Sequence, residues 1–155
     1  MRKALGKDRL TRADGGYLLQ LTDADEVDAA VFEDTVRHAS RLLGSDPEEA
    51  GRLLDSGLDL GRGRPYEGFE DIAALAPEAT RLDESRMDAV EDRIVAELAA
   101  GGAPSVGDVE KLCVEHPYRE RLWGLLARNL YRANRQAEAV RTFMRLRGVL
   151  CDDLG

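Results

Sequence analysis

The sequence predicts an all-α protein made of antiparallel helical hairpins, about six to seven helices, with a short β-hairpin at the N-terminus. Three observations lead there. Apolar residues recur at i, i+3, i+4 and i+7 through most of the chain beyond residue 22. Gly, Asn and Pro punctuate these stretches at short intervals, so neighbouring helices must fold back on one another. Charged residues make up 34% of the 155 residues and aromatic residues 5%, the balance of a soluble, helix-rich chain with one compact core.

Residues 1–21 differ from the rest. Leu10-Thr11 and Tyr17-Leu18-Leu19 flank the turn-rich cluster Ala13-Asp14-Gly15-Gly16, which predicts a β-hairpin. A lone two-stranded hairpin is marginal in water and needs something to pack against. Asp23 to Gly44 is the first helix. Val27, Val31, Phe32, Val36, Ala39, Leu42 and Leu43 form its apolar face, and Gly44 stops it. Asp46-Pro47-Glu48-Glu49 then reads as an N-cap, a Pro at the first helical position and acids at the positive helix end. This second helix runs to about Leu60, with Ala50, Leu53, Leu54 and Leu58 inward.

Gly61-Arg62-Gly63-Arg64-Pro65 ends that helix. Two Gly and two Arg evoke a phosphate loop, but the spacing and the strand-to-helix context of one are absent. The segment reads as a helix stop and a loop, with Tyr66 and Phe69 pinning it to the core. A short helix around Glu70 to Leu75 follows. A long helix then runs from Ala76-Pro77 to about Ala100, with Leu82, Val90, Ile94 and Leu98 on its inner side and Met87 and Val95 beside them. Gly101-Gly102 stops it. Ser105 caps the next helix, with Asp108 three residues on. That helix carries Val109, Leu112, Cys113 and Val114, and Pro117 closes it.

The stretch from His116 to Gly155 is the most specific. Trp123, Leu126, Ala127 and Leu130 fall on one helical face. Ala139, Val140, Phe143, Leu146 and Leu150 make the stripe of a second helix. Ala133-Asn134-Arg135 links the two tightly, with Asn134 able to adopt the left-handed conformation of a helix end. The tetratricopeptide pattern asks for a large aromatic, a Leu, a small residue, and later Ala and Phe in a unit of ~34 residues. Trp123, Leu126, Ala127, Ala139 and Phe143 fill those places in order. One repeat length before Trp123 lies Ala89, so the segment from Glu78 to Pro117 reads as a degenerate repeat.

The same stretch resembles the signature of the bacterial transcriptional activator domain, found in the actinobacterial antibiotic-regulatory activators. The shared elements are His116-Pro117, Arg119-Glu120-Arg121, Tyr131-Arg132, Arg135-Gln136, Glu138-Ala139, Arg145-Leu146-Arg147 and Asp153-Leu154-Gly155. Asn134 stands where that family usually has Gly. The resemblance implies a tetratricopeptide-like domain over residues 22–155. Residues 1–21 resemble the end of an OmpR-type winged-helix DNA-binding domain. Arg2-Lys3-Ala4-Leu5-Gly6 matches the last turn of its recognition helix, followed by the wing and a Gly-Tyr-Leu strand. In that reading Arg2, Lys3 and Arg12 contact DNA, but only together with the preceding helices, because base readout needs the recognition helix in the groove. The chain then begins inside a larger regulator.

Charge is segregated. Residues 66–98 hold ten acids and three Arg, a balance of −7; residues 118–147 hold eight Arg and two Glu, a balance of +6; residues 1–20 stand at +3. Opposite charge in separate segments means complementary faces, within the fold or between subunits, or simply solvated helix surfaces. The overall −8 argues against a chain that binds nucleic acid along its whole length.

Catalysis, metal and cofactor have no visible support. Cys113 and His116 have metal-like spacing but no second pair. The carboxylates alternate with Arg in helix-surface style, and neither His has a nucleophile and carboxylate to work with. No apolar run approaches a membrane span and no secretory leader is apparent, so the expected compartment is the cytoplasm.

The resemblance implies a protein-interaction and oligomerisation domain of a transcription regulator. Its partners are a second copy, as a homodimer, or the transcription machinery. The expected partner face is Arg119, Arg128, Arg132, Arg141 and Arg145. The alternative is a free-standing tetratricopeptide-like adaptor that grips a peptide or protein.

Overall fold

The computed structural model describes residues 9–13, 16–22, 24–61 and 63–154. Two short strands, β1 (Leu10–Ala13) and β2 (Gly16–Leu19), pair antiparallel with Leu10 opposite Leu19 and Ala13 opposite Gly16. Six α-helices follow: α1 (Asp28–Leu42), α2 (Pro47–Leu60), α3 (Ala76–Ala99), α4 (Val106–Glu115), α5 (Glu120–Arg132) and α6 (Gln136–Leu154). The short helix expected before α3 is a single 3₁₀ turn, Ala73–Leu75.

Helix α1 starts five residues later than its apolar pattern suggests. The reason is Asp25. Its carboxylate accepts hydrogen bonds from the Thr22 backbone N–H (2.7 Å) and hydroxyl (2.8 Å) and from the Arg9 guanidinium. These bonds hold the chain in a turn.

Two apolar clusters build the interior. Phe32, Ala39, Ala50, Leu54, Ala89 and Ala96 bring α1, α2 and α3 together. Ile94, Leu98, Val109, Cys113, Leu122, Trp123, Leu126 and Leu130 join α3, α4 and α5, with Ala139 of α6. Helix α3 serves both clusters, so its buried positions spread around the helix instead of lying on one stripe. On the α2 side the approach is close: a Cβ on Gly51 would lie 3.7 Å from that of Ala96.

Both expected caps are present. Asp46 Oδ1 accepts from the Glu49 N–H at 3.0 Å, and Ser105 Oγ from the Asp108 N–H at 3.3 Å. At the end of α5, Asn134 is left-handed (φ +59°). The Arg135 N–H reaches Leu130 O (2.9 Å) and the Asn134 N–H reaches Tyr131 O (3.0 Å), the two bonds of a Schellman closure. Gly101 (φ +89°) closes α3 in the same way.

Several expectations need correction. Tyr66 and Phe69 do not enter the core; both are exposed. Val114 also faces water. Helix α4 packs closely on α5 and hardly on α3, so the segment from Glu78 to Pro117 is not a tight hairpin. In α6 the inward stripe is buried Ala139 and Thr142 with half-buried Leu146 and Val149, while Val140 and Phe143 point out. The stripe runs through a polar residue, which hid it. The Thr142 hydroxyl donates to Glu138 O at 3.0 Å and is therefore satisfied where it is buried.

The left-handed position at residue 134 gives a direct test. Replacing Asn134 with Ala should cost about 1 kcal/mol, because a Cβ without a local polar group disfavours this conformation. Asn134→Gly should stay within a few tenths of wild type. Urea denaturation of the two variants measures the difference; equal midpoints would refute it.

Candidate protein-interaction surface and the charged seam beneath it

Acids on α3 and arginines at the start of α5 face each other. Arg119 Nη1 donates to Asp88 Oδ1 at 2.9 Å and to Glu91 Oε1 at 3.1 Å, and its Nη2 pairs with Glu84. Arg121 reaches Asp92 Oδ1 at 2.5 Å and Glu91 Oε2 at 3.4 Å. From α1, Ser40 Oγ donates to Asp92 Oδ2 at 3.0 Å. Glu91 is 2% exposed and Asp92 9%. Burial works against the charge on Arg119 and Arg121; hydrogen bonds to Asp88, Glu91 and Asp92 overcome it and hold both guanidinium groups above their usual range. This part of the acidic segment and this part of the basic one therefore meet inside the fold.

The five arginines expected on a partner face are dispersed. Arg119 belongs to the seam. Arg132 donates to Leu98 O, closing the C-terminal end of α3. Arg145 lies 5.4 Å from the centre of the Trp123 ring and pairs with Glu110 at 3.2 Å. Arg141 bonds to Ala137 O of its own helix at 3.2 Å. Arg128 is exposed and has no ion pair among the described residues.

What α6 does present is apolar. Val140, Phe143 and Met144 are 58%, 56% and 70% exposed. They sit at i, i+3 and i+4, a single stripe on the outer side of the last helix pair, with Arg141 and Arg147 on the same helix. Sequence reasoning missed this surface by assigning Val140 and Phe143 to the core. The available signal was that α6 carries more apolar residues than one stripe needs.

At the other end of the chain, Arg12 lies on β1 opposite Tyr17 and is exposed. Arg2 and Lys3 fall outside the described residues. The hairpin is latched to the following segment by Arg9 and Asp25. The Arg9 hydrogen bond, helped by Thr22, holds the Asp25 carboxyl well below the usual carboxylate range. Cys113 is buried, and burial pushes its thiol up to about 11; Cys151 is exposed. His116 ends α4, its backbone N–H on Leu112 O. Among the described residues no three His, Cys, Asp or Glu side chains gather to hold a metal, and no helix is long and apolar enough to cross a membrane.

Comparison with known proteins fits this architecture. Residues 27–155 match the bacterial transcriptional activator domain. The chain is 36% identical over 142 residues to the transcriptional regulator RedD of Streptomyces coelicolor, covering 91% of this chain and 40% of that protein. It is 34% identical over 148 residues to the transcriptional regulatory protein EmbR of Mycobacterium tuberculosis, covering 94% and 38%. Against the regulatory protein AfsR of Streptomyces griseus it is 33% identical over 161 residues, covering 100% and 16%. A solved structure of M. tuberculosis EmbR in complex with low affinity phosphopeptide superposes with a TM-score of 0.88 at 32% identity, covering 99% of this chain and 42% of that one. The chain thus spans less than half the length of these relatives.

Two outcomes follow from the seam and the latch. Arg119→Met should destabilise by about 3 kcal/mol, since it strips a partner from buried Glu91; adding Glu91→Leu should recover most of that loss. Chemical denaturation of the single and double variants checks it, and an additive double variant would contradict it. For the latch, Asp25 has a depressed folded pKa, so its contribution is full above about pH 4 and fades as pH falls through the folded value. The Thr22 amide resonance should accordingly titrate well below the amides of exposed aspartates.

Proposed function

The chain belongs to the bacterial transcriptional activator domain family, and we propose that it is the protein-interaction and self-association domain of a transcription regulator, working beside a winged-helix DNA-binding half. The observation that carries this reading is the outer face of α6. Stacked helix pairs bind through surfaces that the stack leaves open. Here Val140, Phe143 and Met144 form an exposed apolar stripe on the last pair, the kind of surface that marks a contact site. Arg128 and Arg141, both on the exposed side of this last hairpin, add positive charge that favours an acidic partner. That partner is a second copy of the chain or a component of the transcription machinery.

The relatives are named as regulators of transcription, which supports the regulator over a free-standing peptide-binding adaptor. The likeness to EmbR extends over 99% of the chain and so includes nearly all of the hairpin segment. On this reading the hairpin is the wing of a DNA-binding half. In that assembly Arg12, with Arg2 and Lys3, approaches the DNA. The chain works in the cytoplasm, where its promoter is.

Solution mass across a protein and salt series is the test, paired with reporter transcription from the full-length regulator. The chain should self-associate, less so at high salt. Phe143→Asp should weaken that association by roughly tenfold or more with unchanged helicity, and Arg128→Glu with Arg141→Glu should weaken it further. If reporter output and mass are both indifferent to these changes, the face is not used. A mass change without a reporter change would favour the adaptor.

A further inference from the structure

The α1–α2 end of the stack holds a cavity of about 370 Å³, a size that accepts a small organic ligand. Phe32, Leu58 and Leu82 give it apolar walls, and Tyr66 stands at its loop side. Two positive side chains also border it, Arg64 and Arg86. The first turn of α1 opens onto it as well; Val27 at its N-cap supplies no side-chain cap, and the Asp28 carboxylate already sits on that helix end.

These two arginines differ from those of the seam and the latch in having no carboxylate partner among the described residues, as Arg128 and Arg141 also do. Arg9, Arg81, Arg93, Arg119 and Arg121 all pair with carboxylates. Among the described residues neither Arg64 nor Arg86 has an acid within ion-pair distance, although the protein has 30 acidic residues and 22 basic ones. Arg86 Nη1 holds Gly63 O at 3.0 Å, which fixes the guanidinium at the cavity and leaves its other N–H groups unengaged by any described residue. Asp28 is the one acid in the described lining, and its Oδ1 accepts the Ala29 N–H at 2.8 Å. The loop is held in an uncommon shape. Gly63, Tyr66 and Gly68 all have positive φ (99°, 57° and 86°), and for a tyrosine this conformation is costly. Strain of this kind persists where the surroundings hold it in place, often at a ligand site.

We propose that this cavity binds a small organic anion, with an apolar chain or ring against Phe32, Leu58 and Leu82 and one carboxylate between Arg64 and Arg86, on the side of the cavity away from Asp28. It is a site distinct from the α6 face and goes beyond the interaction role. The first turn of α1 begins three residues after the Asp25 latch, so an occupant braces the segment that joins the hairpin to the helices.

The experiment is an NMR titration of the whole 155-residue chain with decanoate and, as its uncharged match, decanol. Decanoate should give saturable shifts at the amides of Ala29, Leu60 and Tyr66, and decanol should bind roughly tenfold more weakly. Arg64→Gln, an exposed loop substitution, should bring decanoate to the level of decanol while leaving decanol unchanged. Ala29→Trp, which fills the cavity, should remove both. Absence of saturable shifts below the micellar concentration would overturn the proposal. Equal binding of the two probes, or full binding to Ala29→Trp, would do the same.

Discussion

The whole stack depends on two carboxylates that α3 carries into its interior. Glu91 and Asp92 are removed from water, which is costly unless each finds a cation and hydrogen-bond donors. Arg119 and Arg121 supply both from α5, and Ser40 adds a donor from α1. Apolar contacts tolerate sliding and rotation of one helix on another. Paired charges do not, because a displaced partner leaves a buried charge alone. The seam therefore sets how α3 is rotated and shifted against α5. Its net contribution to stability is small beside that role, since the ions lose hydration to form it. Spacing is set on the other side of α3 by small residues, where Gly51 and Ala96 let α2 come close.

That arrangement decides which surfaces remain. Arg119 is turned inward, Arg121 reaches in from the surface, and Arg145 ties α6 across Trp123 to Glu110 on α4. With Ala139, Thr142, Leu146 and Val149 facing the core, α6 has its other apolar residues on the outside. An interior helix can bury residues on more than one side, as α3 does. A terminal helix can do so only if something else covers it. The exposed stripe is thus a consequence of where the seam places the last pair, not an isolated feature of three side chains.

Much of this was legible in the residues. The helices around Ala50, Leu54, Trp123, Leu126 and Leu130, the caps at Asp46 and Ser105, and the left-handed Asn134 follow from local rules, and the structure has them. Local rules act within one turn of helix, so they survive without knowledge of neighbours. The α6 stripe was not legible, because it passes through Thr142, and periodicity counts a threonine as polar. Charge segregation was visible as two segments of opposite sign, but composition says nothing of whether they touch. Only the register of α3 on α5 decides that Arg119 meets Asp88 and Glu91. The cavity was invisible for a related reason. Its walls come from α1, the end of α2, the loop and α3, which sequence keeps far apart.

The hairpin and the helical stack are joined by a different kind of chemistry. Two apolar clusters hold the helices. The hairpin is held instead by Arg9 on Asp25 and on Gln20 O, and by the Thr22–Asp25 turn. Those contacts are few and lie near the surface, with Arg9 and Asp25 half-buried, where an ion pair contributes on the order of 1 kcal/mol. Turning the hairpin relative to α1 therefore costs far less than separating any two helices. A joint of this strength lets one rigid interaction unit serve at more than one angle to whatever the hairpin touches. It also makes the first turn of α1, between the latch and the cavity, the place where a small binding energy has the greatest effect on that angle, because little else there resists it.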